Sequence, residues 1–251
     1  MAKISVAIIT HNEEKNIRDC LESVKWADEI VVVDNGSTDE TLKICQEYRA
    51  RIYREAWKGY SSQKNSAIEK ASNEWVLSLD ADERISPELR QEIENTLQEE
   101  PPVDGYWIAR KNYFLGRWVR YCGWYPDRNL RLFRKSRGGF IERAVHERVE
   151  VRGKTAILNH PLIHETYRTL SDFLIRSDRY STLAAGEMQR QGRKYRFGDA
   201  FFRPPLTFLQ MYLLRAGFLE GYRGFLLSVF YSYYTLAKYA KLKELGQREK
   251  L

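Results

Sequence analysis

Four short apolar segments alternate with segments of helical periodicity near the start of the chain, and this alternation constrains the fold most. The apolar segments are residues 3–9, 29–34, 50–53 and 74–79. The segments at 3–9, 29–34 and 74–79 are rich in β-branched or large apolar side chains, as buried strands are, and 50–53 has a weaker strand pattern. Between the first two, Ile17, Leu21 and Val24 recur at helical spacing. Strands that alternate with helices form a parallel sheet with right-handed crossovers, so the sequence predicts an α/β fold.

Two of the predicted strands end in an acidic side chain. Asp34 ends the second strand, and Asp80 ends the fourth, with Asp82 two residues later. Because parallel strands end on one edge of a sheet, where α/β proteins usually bind ligands, we expect these acids to share an edge. Carboxylates there can hold Mg²⁺ or Mn²⁺, which in turn bind phosphate oxygens. The alternative is that the acids only precede the next helix, since Ser86-Pro87 is a favourable helix start.

The residues after the first two strands have the composition of turns and helix starts. Asn12 is a suitable N-cap, with Glu13 in the first turn, where the helix dipole favours an acid. Ser37 or Thr38 can cap a helix that runs to about Tyr48. The first strand is followed by neither a Gly-x-Gly-x-x-Gly fingerprint nor a Walker A loop, so no dinucleotide site or P-loop is indicated.

The positive charge of the chain is concentrated in its middle. The net charge is +7, and residues 104–154 alone hold 13 basic and 5 acidic side chains, a net of +8. A local positive field suits an anionic ligand such as a phosphate. The three cysteines show neither a zinc spacing nor a disulfide framework, which favours a reducing compartment. We expect no signal peptide at the N-terminus and no membrane-spanning segment.

The second half of the chain mixes predicted strands and helices. Strands are predicted at residues 105–114 and 129–134, the second half-buried because its apolar residues alternate. Between them, residues 116–126 place aromatic rings beside arginines, which suits sugar stacking and anion binding or a structural role. A helix is predicted over residues 170–191, and a boundary at residues 204–205, which are both proline.

Residues 201–245 are aromatic, basic and amphipathic, which favours contact with a membrane interface. A helical pair packed on the rest of the chain, or a dimer surface, would have the same composition.

Three segments of residues 3–100 resemble the hallmarks of family 2 inverting glycosyltransferases. They are Val6-Ala-Ile-Ile-Thr-His-Asn-Glu-Glu, Ile30-Val-Val-Val-Asp-Asn-Gly-Ser-Thr-Asp and Leu77-Ser-Leu-Asp-Ala-Asp-Glu. Two later stretches, Val145-His146-Glu147 and His164-Glu-Thr-Tyr167, are similar to the WaaE-like glucosyltransferases, the subgroup that builds the lipopolysaccharide inner core. The resemblance implies a GT-A fold, with a mainly parallel nucleotide-binding sheet, flanking helices and C-terminal amphipathic helices.

This resemblance also implies a division of the chain. Residues 1–100 would form the nucleotide-sugar-binding half, residues 101–168 the acceptor and catalytic half of the same domain, and residues 169–251 a helical extension. The enzyme would be a metal-dependent hexosyltransferase that moves glucose from UDP-glucose, or another UDP-hexose, to a saccharide or lipid-linked saccharide of lipopolysaccharide core or another cell-envelope glycan. It would be cytoplasmic and peripheral at the inner face of the cytoplasmic membrane, with no nucleic-acid partner.

The resemblance assigns roles to individual positions. Those that would bind the donor are Thr10, Asn12, Glu13, Asp34, Ser37, Lys64 and Asp80. Asp82, with His164, would hold Mg²⁺ or Mn²⁺ on the diphosphate. The alternatives are a solvated helix lysine for Lys64, a helix cap for Ser37 and a structural histidine for His164.

Inverting transfer also needs a carboxylate that deprotonates the acceptor hydroxyl. Many family members carry this base as the Asp of a Glu-Asp pair, which the chain lacks in the expected region. His146-Glu147 occupies the comparable place, so Glu147 is the predicted base. His146 would be a positioning or packing group and not a base. The alternative is that Glu147 is an exposed strand residue paired with an arginine.

Two other functions fit parts of the sequence. A sugar-phosphate nucleotidyltransferase would need a Gly-rich basic loop after the first strand, and Thr10-His11-Asn12-Glu13 is not one. A non-enzymatic module that binds membranes or nucleic acid would suit the positive charge, but no recognised nucleic-acid motif is present.

Overall fold

The computed structural model describes residues 2–141 and 148–248. Its regular elements are, in chain order, β1 (Ile4–Thr10), α1 (Ile17–Val24), β2 (Glu29–Asp34), α2 (Thr41–Glu47), β3 (Arg51–Arg54), α3 (Tyr60–Lys70), β4 (Trp75–Asp80), β5 (Glu83–Arg84), α4 (Pro87–Thr96), β6 (Gly105–Phe114), β7 (Arg117–Trp118), β8 (Asp127–Arg134), β9 (Gly138–Ile141), β10 (Arg148–Val151), β11 (Thr155–Ile157), β12 (Leu162–Tyr167), α5 (Leu170–Arg190), α6 (Phe197–Leu209) and α7 (Tyr222–Arg248). A π-helical turn (Gln210–Leu214) and a 3₁₀ turn (Gly217–Glu220) join α6 to α7.

The chain forms two compact units. Unit 1 comprises Met1–Lys111 and Asp127–His164, and unit 2 comprises Asn112–Pro126 and Glu165–Leu251. The division of the chain after residues 100 and 168 follows the expected function of each part and stays a prediction. The compact units divide the chain differently, because residues 112–126 belong with the C-terminal helices.

The sheet of unit 1 has the mixed α/β topology that the sequence predicts. Its strand order is β3-β2-β1-β4-β8-β6-β12-β5, with β11 paired to β6. The first four strands are parallel, whereas β8 is antiparallel to both β4 and β6. Strands β1, β2 and β4 are buried on both faces, which explains their continuous apolar runs, whereas the edge strand β3 is exposed or half-buried. The predicted α/β class and parallel N-terminal sheet are therefore confirmed.

The core of unit 1 lies on both sides of this sheet. Ile8 of β1 packs in one cluster with Leu21 of α1 and Ile93 of α4. Ala7, the next residue along β1, packs in the opposite cluster with Ala67 of α3. Adjacent strand residues point to opposite faces, so each helix layer covers one set of them.

Two predicted helix starts are wrong. Helix α1 begins at Ile17, because Asn12 has φ +55° in a loop and does not cap a helix. Helix α2 begins at Thr41, beyond Ser37 and Thr38, whose hydrogen bonds go to other loop residues. By contrast, the predicted start at Ser86 is confirmed, since Leu89 N–H donates to its hydroxyl at 3.2 Å.

Strand β8 is less exposed than its alternating sequence predicts. Leu130, Arg131, Leu132 and Phe133 are all buried. The prediction of a half-buried strand is therefore wrong, and the buried arginine among these residues needs partners of opposite charge.

Unit 2 is built from α5, α6 and α7. Helix α5 starts with a capping box, in which Thr169 and Asp172 each bond the other's backbone N–H at 3.0 Å. The two prolines at residues 204–205 predict a boundary, but both lie inside α6. Pro204 is buried, and its carbonyl accepts a 2.8 Å hydrogen bond from Ser232 of α7, so tertiary packing overrides the helix-breaking tendency. Among the described residues, no helix is both long and apolar enough to cross a membrane.

A half-buried carboxylate that joins β1, β2 and β3 should make the stability of the fold sensitive to acid. Burial by itself would raise the pKa of Glu29, but hydrogen bonds from Ser5, Ser72 and Arg51 outweigh it and lower the pKa to about 2. A pKa that is lower in the folded state stabilises the protein above the unfolded pKa, and that stabilisation is lost as pH falls toward 2. We expect the urea midpoint of Glu29→Gln to fall less than that of the native protein between pH 4.5 and pH 2.5.

Tryptophan fluorescence would follow this unfolding, with Glu99→Gln, an exposed glutamate, as the control. Equal acid sensitivity of Glu29→Gln and the native protein would show that Glu29 does not carry the effect.

Candidate functional site

Strand β1 lies between β2 and β4, and this order brings the predicted acids to one edge of the sheet. Thr10 at the end of β1 is paired in register with Asp34, and Ile9 is paired with Asp80. The side chains that end the three strands are therefore neighbours, as predicted from the parallel topology.

The loops after β1 and β2 are tied together by hydrogen bonds. Asn12 N–H donates to Ser37 Oγ at 2.9 Å, and Thr38 N–H donates to Asn12 Oδ1 at 2.8 Å. Glu13 N–H donates to Thr41 Oγ1 at 2.8 Å. Asn12, Glu13 and Ser37, predicted separately as donor-binding residues, thus belong to one cross-linked pair of loops.

Asp34 is completely buried and shapes the second of these loops. Its Oδ2 accepts hydrogen bonds from the N–H groups of Gly36 at 2.9 Å and Ser37 at 3.0 Å. Its Oδ1 accepts from the Ser37 hydroxyl. Gly36 has φ +92°, a conformation that glycine adopts without strain. The carboxylate therefore fixes the loop, and the predicted role of Asp34 in donor binding stays a prediction.

Two buried polar atoms at this edge have no hydrogen-bond partner within residues 2–141 and 148–248. They are Thr10 Oγ1 and Asn35 Oδ1. The two residues are adjacent, since Asn35 N–H donates to the Thr10 carbonyl at 3.1 Å. Buried polar atoms without a partner are rare in folded proteins. A polar ligand that bonds to these atoms would account for them.

Asp80 is held between two cations. Lys64 Nζ of α3 lies 2.7 Å from Asp80 Oδ1, and Arg131 Nη2 of β8 lies 2.9 Å from Oδ2. Burial by itself would raise the pKa of Asp80, but the two cations hold the pKa well below its usual range. Lys64 is buried, so the alternative of a solvated helix lysine is wrong.

Sequence reasoning missed four members of this ionic cluster, namely Glu83, Arg131, Arg110 and Asp127. Glu83 is completely buried, and its Oε1 lies 2.5 Å from Arg131 and 3.4 Å from Arg110, while its Oε2 accepts the Asp80 N–H at 2.9 Å. Arg110 in turn lies 2.6 Å from Asp127. The place of Arg131 between two leucines in a strand predicts an exposed side chain, so the sequence gives no signal of its burial. Two arginines of the positive middle segment are thus paired with acids inside unit 1.

Asp82 and His164 come together although 82 positions separate them in the sequence. Strand β12 pairs with β5 in a register that places His164 opposite Glu83, the residue after Asp82. His164 Nε2 lies 3.5 Å from Asp82 Oδ1, and both side chains are only 11% exposed.

This pair could hold a divalent metal ion. Two ligand atoms, each about 2.1 Å from one ion, are roughly 3.0–3.5 Å apart, so the observed spacing fits. In the part of the chain that the structure describes, no group of three or more His, Cys, Asp or Glu side chains could hold a metal. A site built on Asp82 and His164 would therefore take its other ligands from water and ligand phosphates, as Mg²⁺ commonly does.

The predicted base, Glu147, and its neighbours Val145 and His146 lie outside the described residues. The role of Glu147 stays a prediction from the sequence.

Comparison with known proteins gives concordant sequence matches. A sequence model of the family described as Glycosyl transferase family 2 matches residues 5–150. The lipopolysaccharide core biosynthesis glycosyltransferase LpsC of Rhizobium meliloti is 33% identical over 94% of this chain and 91% of its own length. An uncharacterized glycosyltransferase of Rickettsia typhi is 31% identical over 100% of this chain and 90% of its own length.

Solved structures share the fold. The crystal structure of S. aureus TarS 1-349 in complex with UDP-GlcNAc superposes with a TM-score of 0.51 at 17% identity, over 98% of this chain and 92% of that one. The complex of the same protein with UDP gives a TM-score of 0.50 at 19% identity, over 99% and 92%. At these identities the likeness concerns the fold alone.

Removal of one member of the buried ionic cluster should lower the free energy of unfolding far more than removal of an exposed charge does. Arg131→Met takes away the cation that Asp80 and Glu83 share, so we expect a loss of about 3–5 kcal/mol in the free energy of unfolding. Arg128→Met is the control, because Arg128 is exposed on the same strand, and we expect a change within about 0.5 kcal/mol. Urea titration would measure both. Equal midpoints for the two variants would contradict a stabilising role for the buried pairs.

Proposed function

Because this chain belongs to glycosyl transferase family 2 and is a glycosyltransferase, we propose that it transfers a hexose from a UDP-sugar, with UDP-glucose as the first candidate, to a saccharide acceptor. Membership in this family sets aside the nucleotidyltransferase and the non-enzymatic module as alternatives. The donor, the acceptor, the metal and the stereochemistry are the parts that we propose.

The observation that carries the proposal is the approach of Asp82 to His164 beside the end of β4. The same edge of the sheet holds Asp34 and Asp80, and the orphaned Thr10 Oγ1 and Asn35 Oδ1 lie beside them. A nucleoside diphosphate supplies hydroxyl and amide groups for such polar atoms and phosphate oxygens for a metal ion. The TarS structures with this fold contain UDP and UDP-GlcNAc, which supports the choice of a uridine donor.

Asp82 and His164 would hold Mg²⁺ or Mn²⁺, whose charge stabilises the diphosphate as it leaves. Thr10, Asn12, Glu13, Asp34, Ser37, Lys64 and Asp80 would surround the nucleoside and diphosphate. Asp80 is already paired with Lys64 and Arg131, so its role toward the donor would be exerted together with these cations.

Glu147 would take the proton of the acceptor hydroxyl as that oxygen attacks the anomeric carbon. One displacement inverts the centre, so an α-linked donor would give a β-linked product. The likeness to LpsC supports an acceptor in the lipopolysaccharide core or a similar cell-envelope glycan, reached in the cytoplasm at the inner face of the membrane.

Metal-dependent donor binding should depend on Asp82. We expect calorimetric titration with UDP to give at least ~10-fold tighter binding with Mn²⁺ than without it, and Asp82→Ala to lose that gain, because the carboxylate is the charged ligand. Asp178→Ala, on an exposed face of α5, is the control and should bind as the native protein does. The donor site would be wrongly assigned if native protein bound no UDP under either condition, or if Asp82→Ala kept the Mn²⁺ effect.

Loss of the base should slow transfer without weakening donor binding. We expect Glu147→Gln to lower the turnover rate by roughly 10²–10⁴-fold, because the amide cannot accept the proton, while its UDP affinity stays native. Glu150→Gln is the matched control, because Glu150 is exposed and lies three residues away in the sequence, in β10. Transfer of label from a UDP-sugar to a glycan acceptor would measure the rate. Native turnover in Glu147→Gln would assign the base to another acid.

A further inference from the structure

Exposed apolar side chains are distributed very unequally between the two units. Among the described residues, only Trp57 and Ile157 of unit 1 are large apolar side chains that remain exposed. Seventeen others are exposed, and all of them belong to unit 2. Large exposed apolar patches on soluble proteins commonly mark sites of interaction with a protein or a membrane.

Helix α6 is apolar on its outward side as well as its inward side. Inward, Pro204 is buried, and so is Met211 in the π-helical turn that continues α6. Outward, Phe202, Leu206 and Leu213 recur at helical spacing and are more than half exposed. A helix that faces water normally exposes a mainly polar side. The described part of this chain covers only one side of it.

Ring contacts join this surface to the 3₁₀ turn and to α7. Tyr212 packs edge-on against Phe218 at 6.4 Å and against Phe225 at 6.0 Å. We define the apolar face as Phe201, Leu206, Leu213, Leu214, Phe218 and Phe225, all exposed.

The apolar face extends along α7, where Val229 and Tyr233 follow Phe225 at intervals of four residues and are also exposed.

The charges around the apolar face are mainly positive. Residues 193–243 contain nine basic and two acidic side chains. Both acids are engaged: Asp199 pairs with Arg203 at 2.6 Å, and buried Glu220 accepts the N–H groups of Arg120 and Tyr121 at 2.7 and 3.0 Å. Six of the bases are exposed, namely Arg193, Lys194, Arg196, Arg203, Arg215 and Lys243. The charge that this surface presents to solvent is therefore predominantly positive.

We propose that the apolar face docks on a bilayer surface that contains anionic lipids, with α6 and α7 lying in the interface. Aromatic and aliphatic side chains enter the acyl boundary, while arginines remain at the level of the headgroups and pair with their phosphates. A second copy of the chain fits less well, because a symmetric interface would bring the same arginines against one another. The docking rests on the features of the surface alone. Only the use that we give it, to bring the enzyme to a lipid-linked acceptor, rests on the proposed function.

Co-sedimentation of the full chain with vesicles tests this docking. The vesicles would be phosphatidylcholine alone or phosphatidylcholine with roughly 30 mol% phosphatidylglycerol. We expect partition of the native protein to be at least ~10-fold stronger with the anionic lipid, and to weaken as salt is raised. The triple variant Phe201→Ser, Leu214→Ser, Phe218→Ser should lose at least ~10-fold in partition, because it removes three inserted side chains.

The control is Ile157→Ser, Ile175→Ser, which removes exposed apolar side chains outside the apolar face and should bind vesicles as the native protein does. Circular dichroism would show that each variant is folded. Calorimetry with UDP on the same proteins keeps the two proposals apart, since the triple variant should bind UDP normally whether or not it binds vesicles.

Three results would overturn the docking: no binding of native protein to either vesicle, native partition of the triple variant, or a dimer in solution that only the triple variant dissociates. The last result would assign the apolar face to a second copy of the chain.

Discussion

Four charged side chains meet inside unit 1 where β4 ends, and each would be costly to bury alone. Asp80 and Glu83 share Arg131, and Lys64 pairs with the second oxygen of Asp80. Removal of such ions from water is tolerated only when they are paired and hydrogen-bonded with good geometry. The cluster therefore has one arrangement that satisfies it, and that arrangement fixes α3, β4, β5 and β8 relative to one another. A binding edge made of loops alone would not have this constraint.

The position of Asp82 follows from the same constraint. Glu83 accepts the backbone N–H of Asp80, which closes the short turn between β4 and β5. The pairing of β5 with β12 then brings His164 to Asp82. The buried ions and the strand register together present a carboxylate and an imidazole at a spacing that suits one divalent ion. His164 lies on β12 and Asp82 lies in the two-residue turn before β5, so strand pairing rather than a long loop sets their spacing.

Sequence reasoning succeeded for features that depend on neighbouring residues and failed for features that depend on contacts between distant segments. The parallel strands were predictable because burial on both faces leaves a continuous apolar run, as in Glu29–Asp34. The helix starts were less predictable. Asn12 forms hydrogen bonds with Ser37 and Thr38, 25 and 26 positions away, instead of capping the helix beside it. Arg131 and Glu83 were missed because ion pairs between distant segments leave no periodic signal. Pro204 lies inside a helix because its contacts with α7, far along the chain, outweigh its local preference.

The two units satisfy their burial requirements in opposite ways. Unit 1 buries charge and leaves almost none of its large apolar side chains exposed, so water is a sufficient environment for it. Unit 2 leaves seventeen such side chains exposed among the described residues, although α5, α6 and α7 already pack together. A soluble helical unit normally hides one apolar side of each helix and exposes a polar one. In α6, by contrast, Phe201, Phe202 and Leu206 are all more than half exposed. The proposed bilayer surface, with an apolar layer and an anionic layer, would match both its rings and its arginines.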